Sequence, residues 1–117
     1  MNPVVVDQEP VRKLVRAILR QSPAFVGRAQ LLAQVDGLRA SGSMTWLDLA
    51  VAPTAVPSPF DGNPVPGNVW AYDDHGQHIG VLVIGSKGGY LSVLELGWVT
   101  DETPTLLPDP HLVAATQ

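Results

Sequence analysis

From residue 8 to residue 20, apolar side chains recur at Val11, Leu14, Val15, Ile18 and Leu19, with Arg12, Lys13, Arg16 and Arg20 on the opposite side. That spacing follows the 3.6-residue period of a helix with one buried stripe. Asp7 suits its N-cap. Gln8, Glu9 and Pro10 suit its first turn, where proline forfeits no bond and a carboxylate meets the positive end of the dipole. Ser22-Pro23 predicts a second helix, with serine as cap and proline in first position. Phe25, Ala29, Leu31, Leu32 and Val35 form its apolar stripe, and Asp36-Gly37 ends it. Residues 7–37 are thus expected as a helical pair.

The period then changes. Residues 38–43 are rich in small side chains and read as a loop. Residues 45–51 alternate, with Leu47, Leu49 and Val51 on one side and Trp46, Asp48 and Ala50 on the wetter side. Alternation of this kind marks a half-buried strand. Residues 52–67 hold five prolines and must form a long irregular connection, which Phe60 is placed to pin to the body. Loops of this length in compact domains are often functional or disordered. A second strand is expected over 68–72, a turn at Asp73-Asp74-His75-Gly76, a third strand over 77–84, and a turn at Gly85-Ser86-Lys87-Gly88-Gly89. Residues 90–99 are apolar on both sides of the pleat, as in an inner strand. One face shows Tyr90, Ser92, Leu94, Leu96 and Trp98; the other shows Leu91, Val93, Glu95, Gly97 and Val99.

Residues 100–117 contain Pro104, Pro108 and Pro110. Each lacks a backbone donor and has a fixed φ, so the segment is expected as an extended tail anchored by Leu106 and Leu107. The resulting expectation is a single α+β domain over residues 1–117. Two N-terminal helices would pack on a four-stranded antiparallel meander sheet spanning 45–99. The first of those strands would present an unpaired edge, open to pairing with a second copy; a monomer or a homodimer is expected.

Composition narrows the class. The chain has no cysteine, hence no disulfide, thiolate metal site or cysteine nucleophile. It has no basic leader followed by an apolar stretch, and no apolar run of the ~20 residues a spanning helix needs. A cytoplasmic protein without a membrane segment is expected. Net charge is −4, but unevenly spread. Residues 1–44 carry six cations and three anions, a balance of +3, whereas residues 45–117 carry Lys87 alone against eight anions, a balance of −7. The acidic sheet half argues against stacking of single-stranded nucleic acid on its aromatics. The basic face of the first helix, through Arg12 and Arg16, leaves nucleic-acid binding as the weakest reading. The second helix offers Arg28 alone where a recognition helix needs several base readers.

Among chemistry-bearing residues, Glu95 stands out, because an apolar strand face must pair, bond or hydrate a carboxylate. Arg16 or Arg28 is its expected partner, and His78 is the candidate for an acid–base pair with it across the hairpin. Trp70 and Tyr72 share a strand face, as do Tyr90 and Trp98; half exposed, such aromatics make binding anchors. The run Asp73-Asp74-His75-Gly76-Gln77-His78 has metal-ligand composition but poor spacing, and no metal or cofactor is expected. Gly85-Ser86-Lys87-Gly88-Gly89 lacks the spacing and following helix of a phosphate loop. No hydrolase, metalloprotease or kinase signature occurs.

The segments RAQLLAQV, LDLAV and GYLSVLELGWVTDETPTLLPDP resemble a group of small actinobacterial proteins with no assigned activity. The resemblance implies the same order of helices and meander and supplies no catalytic residues. Relatives often carry cysteines before the first strand; LRASGSM has none, so no cysteine-dependent role carries over. Three functions are therefore expected, in order. The first is a cytoplasmic protein-interaction module of immunity or antitoxin type, with an unidentified protein partner. The second is a ligand binder or enzyme centred on Glu95, His78 and Tyr72, and the third is nucleic-acid binding through Arg12 and Arg16.

Overall fold

The computed structural model describes residues 4–5, 8–67 and 69–115; the expected cap Asp7 and strand start Asn68 lie outside them. Helix α1 (Gln8–Gln21) buries Val11, Leu14, Val15, Ile18 and Leu19, the stripe its sequence predicts. Burial of one such side chain stabilises by about 1.5–3 kcal/mol, so this face governs where α1 sits. Glu9 in the first turn and Arg20 in the last complement the helix dipole.

Ser22 does not open a second helix. Its hydroxyl and its N–H both bond back to the Ile18 carbonyl, at 2.9 and 3.1 Å, and close α1 instead. Helix α2 (Arg28–Gln34) begins only after Gly27, held at φ 99°, and runs into a 3-10 turn over Val35–Gly37.

The expected four-stranded meander is overturned. Among the described residues the sheet has seven strands: β1 (Val4–Val5), β2 (Arg39–Gly42), β3 (Trp46–Ala50), β4 (Val69–Tyr72), β5 (His78–Lys87), β6 (Tyr90–Trp98) and β7 (Val113–Ala115). All pair antiparallel, in the order β1-β2-β3-β6-β5-β4-β7. Nor do the helices open the chain, since β1 precedes them. The segment read as a loop is β2, whose small side chains carry no periodic signal. The tail read as extended returns through a 3-10 turn (Pro110–Leu112) to pair as β7 with β4. β3 is not an edge: β2 covers one side and β6 the other. β4, β5 and β6 do form the expected meander, and β3 lies beside its last strand, which makes a Greek key whose long connection includes residues 51–67.

That connection is built into the sheet. Val65 N–H donates to Ile84 O, and Ser86 N–H donates to Gly62 O, so residues 62–65 continue the row of β4 along the longer β5. Phe60 packs edge-to-face on Phe25, centroids 5.1 Å apart, and pins the connection to the segment before α2. Gln34, only 3% exposed, ties three segments together. Its amide donates to Val56 O and Gly89 O and accepts from Leu91 N–H.

α1 lies across one face of the sheet, touching both β2 and β7. A 14-residue helix is about 21 Å long, and five strand spacings cover about 24 Å, so α1 spans most of that breadth. Gln8 fixes its start by exchanging two hydrogen bonds with the backbone of Ala40 in β2. The core between the helices and the sheet contains Leu31, Leu38, Leu47, Leu82, Leu91, Leu94 and Leu96. Leu91 joins Leu94 there because the ladder shifts register: Gly85 pairs with Val93 but Ser86 pairs with Leu91, leaving Ser92 as an extra residue. The bulge turns Tyr90 away from the face that Trp98 shares, contrary to strict alternation.

Candidate interaction surface on the open sheet face

With both helices on one face, strand parity places the remaining side chains on the other. Cross-strand register sets them in two rows. In one, Trp70, Val81 and Gly97 lie side by side on β4, β5 and β6. In the next, Val83, Glu95 and Trp46 lie side by side on β5, β6 and β3. Residues two apart along a strand are about 6.6 Å apart, so the rows form one contiguous surface. Trp46 is 48% exposed and Trp70 40%. Val81, Val83 and Glu95 are half-buried and Gly97 is exposed. A depression of about 450 Å³ lies among Thr45, Trp46, Val81, Val83, Glu95 and Gly97. Gly97 creates it, since a Cβ there would meet only Val81 O, at 3.6 Å.

Trp46 is held in place. Its indole N–H donates to Asp48 Oδ1 at 3.1 Å. At the other end, His78 stacks on Trp70 with centroids 4.5 Å apart and leans against Tyr72 at 5.8 Å. His78 Nε2 lies 3.0 Å from Gly80 O; a carbonyl only accepts, so the hydrogen is on Nε2. Trp70, Tyr72 and His78 thus form an aromatic cluster at one corner of the face.

The structure does not assemble the expected acid–base pair. His78 pairs with Tyr72, and Glu95 pairs with Val83, five residues further along β5, which separates them by about 16 Å. Neither expected cation reaches Glu95. Arg16 pairs with Asp36 at 3.1 Å, and Arg28 donates to Ser22 O at 2.8 Å. Among the described residues no cation pairs with Glu95.

The other candidates serve the fold. Trp98 lies against the core, and its indole N–H donates to Met44 O at 2.6 Å, tying the end of β6 to the β2–β3 turn. Arg12 donates to Leu38 O at 2.8 Å and lies 3.9 Å from Glu9. Arg12 and Arg16 therefore both bind the turn after α2, and their positive face is partly occupied by the protein itself. Asp73, Asp74 and His75 bring three ligand-type atoms together, but Asp73 Oδ1 already accepts from the N–H groups of His75 and Gln77. The Gln77 bond is the largest reason that its carboxyl sits below the ordinary carboxylate range; burial opposes it, and the His75 N–H and charge add to it. This is a turn motif of the kind aspartate favours. Gly85-Ser86-Lys87-Gly88-Gly89 spans the end of β5 and its turn into β6.

Among the described residues no helix is long and apolar enough to cross a membrane. The chain matches no protein-family model, no curated protein and no solved structure.

Proposed function

We propose that this protein is a small protein-interaction module that binds its partner on the open sheet face. One observation carries the reading: Trp46 and Trp70, both substantially exposed, flank a floor of Val81, Val83 and Gly97 on the face away from the helices. Half-exposed tryptophans beside aliphatic side chains are the usual anchors of protein interfaces, and an apolar patch rimmed by polar groups marks a contact site. A cytoplasmic role of immunity or antitoxin type is the concrete form of this reading, and a cysteine-free chain suits it.

Affinity capture with tagged protein tests the surface. Wild type should retain one stoichiometric protein. Val83→Lys, which sets a charge in the middle of the floor, should lose it, while Lys13→Glu on the helical side should keep it. Retention by Val83→Lys at wild-type level would place the contact elsewhere.

A further inference from the structure

We infer that the depression at Gly97 receives an arginine side chain from the protein partner, its guanidinium seated between the Glu95 carboxylate and the ring of Trp46. This rests on the open face being the contact surface. The chemistry of the depression defines the occupant. Its walls are Val81, Val83 and Trp46, its open side is Gly97, and its one ionisable lining group is Glu95. A partner that covers Glu95 strips its water, and an unpaired buried carboxylate costs several kcal/mol. The partner must therefore bring hydrogen-bond donors to Glu95, and a cationic donor offsets its charge as well. A single carboxylate among valines is no metal site, which needs several oxygen or nitrogen donors. An organic cation with an apolar stem fits both parts: the stem covers Val81 and Val83, and the head meets Glu95. Arginine suits better than lysine, because its planar fork bonds a carboxylate at two points and stacks on an aromatic ring. Trp46, fixed through Asp48, presents such a ring directly across the strand pair from Glu95.

A second copy is the other source of an arginine, since Arg39 lies on the same face. The register argues against it. Arg39 pairs with Ala50, Ser41 with Asp48, and Trp46 with Glu95. The midpoint between Arg39 and Glu95 therefore falls on Asp48. A two-fold axis that exchanged Arg39 and Glu95 between copies would pass through Asp48 and set its carboxylate against its own image. Like charges so placed oppose the contact.

Titration of isotope-labelled protein with the peptide acetyl-Thr-Val-Arg-Val-Thr-amide, followed by NMR, tests the site. The control is the same peptide with citrulline, the neutral isostere of arginine. The arginine peptide should shift the Trp46 indole N–H and the backbone amides of residues 95–97, with affinity on the order of 1 mM. The citrulline peptide should bind about tenfold or more weakly, and Glu95→Gln should remove that difference. Gly97→Val, which fills the depression and has room for its Cβ, should abolish the shifts while leaving spectral dispersion intact. Equal binding of the two peptides to wild type, or arginine-dependent shifts that Gly97→Val preserves, would overturn the arginine site. Absence of shifts at ~10 mM, well above the expected constant, would overturn it too. The surface itself is read separately by the Val83→Lys capture, so the arginine site can fail while the docking face stands.

Discussion

At the scale of single residues, the informative ones are polar groups in apolar places. Glu95 is legible from sequence, because alternation alone puts a carboxylate among valines. Gln34 is not, since a glutamine near a helix end reads as solvated. Its environment is made by contacts 22, 55 and 57 residues away. Its amide bonds two carbonyls and one N–H in a buried position. Gln34→Leu keeps the volume and leaves Val56 O and Leu91 N–H short of a partner, while Gly89 O keeps the Ser58 N–H. An unmade buried hydrogen bond costs about 1–3 kcal/mol, so the variant should lose roughly 2 kcal/mol or more in urea unfolding. Gln30→Leu, one turn earlier and exposed, should change stability by less than about 0.5 kcal/mol. Equal effects of the two would mean that the Gln34 network contributes nothing beyond its volume. Gly97 is also hidden from sequence reading. Glycine in a strand suggests a bulge or a close backbone approach, yet here its effect is an opening between a tryptophan and two valines.

At the scale of elements, legibility follows periodicity. α1 and the β4–β6 meander have strong patterns and sit where the sequence predicts them, except that β5 continues through Gly85, Ser86 and Lys87, which read as a turn. β2 is four residues of Arg-Ala-Ser-Gly and is defined by its partners. The second helix is misplaced because Ser22-Pro23 reads as a start signal, whereas the chain uses Ser22 to close α1. The bulge at Ser92 reverses the facing of Tyr90 without a trace in composition. The tail is the largest miss. Its prolines argue correctly against a helix through residue 110, but the residues after them form β7, at the edge of the sheet where proline-rich flanks do little harm. Val113 is buried against the core, and Ala114 faces outward beside Trp70. Val113→Asp should therefore lose about 3 kcal/mol or more, as an uncompensated buried charge does, while Ala114→Asp should change stability by about 0.5 kcal/mol or less. Chemical denaturation of the two variants checks the strand directly. A disordered tail would make both substitutions silent.

At the scale of the whole molecule, the fold assigns its surfaces different tasks. Among the described residues both edges of the sheet are short, two residues in β1 and three in β7, and short edges discourage pairing with another sheet. Self-association by strand addition, which an exposed edge at β3 would have allowed, therefore has little to work with. The remaining route is face to face, through Trp46, Trp70, Val81 and Val83. Arg39 and Glu95 would favour that route, because a two-fold arrangement can exchange them between copies. Asp48 opposes it, since it stands at the midpoint and would meet itself on the axis. Two charges about 4 Å apart interact by about 1 kcal/mol in water and more as water is excluded. Removing one such repulsion is worth about tenfold in a dissociation constant. The protein should thus be monomeric in sedimentation equilibrium at ~0.1 mM, a concentration at which a dimer held by less than about 4 kcal/mol largely dissociates. Asp48→Asn retains the acceptor for the Trp46 indole N–H and removes only the charge. It should raise the self-association constant about tenfold or more, and Arg39→Ala in the same background should reverse the gain. A wild-type dimer that both substitutions leave unchanged would show that the face pairs with itself by another arrangement. An Asp48→Asn variant that associates no more strongly than wild type when both are compared at ~1 mM, near the constant expected for a weak dimer, would show that Asp48 has no part in keeping the face open for a different protein.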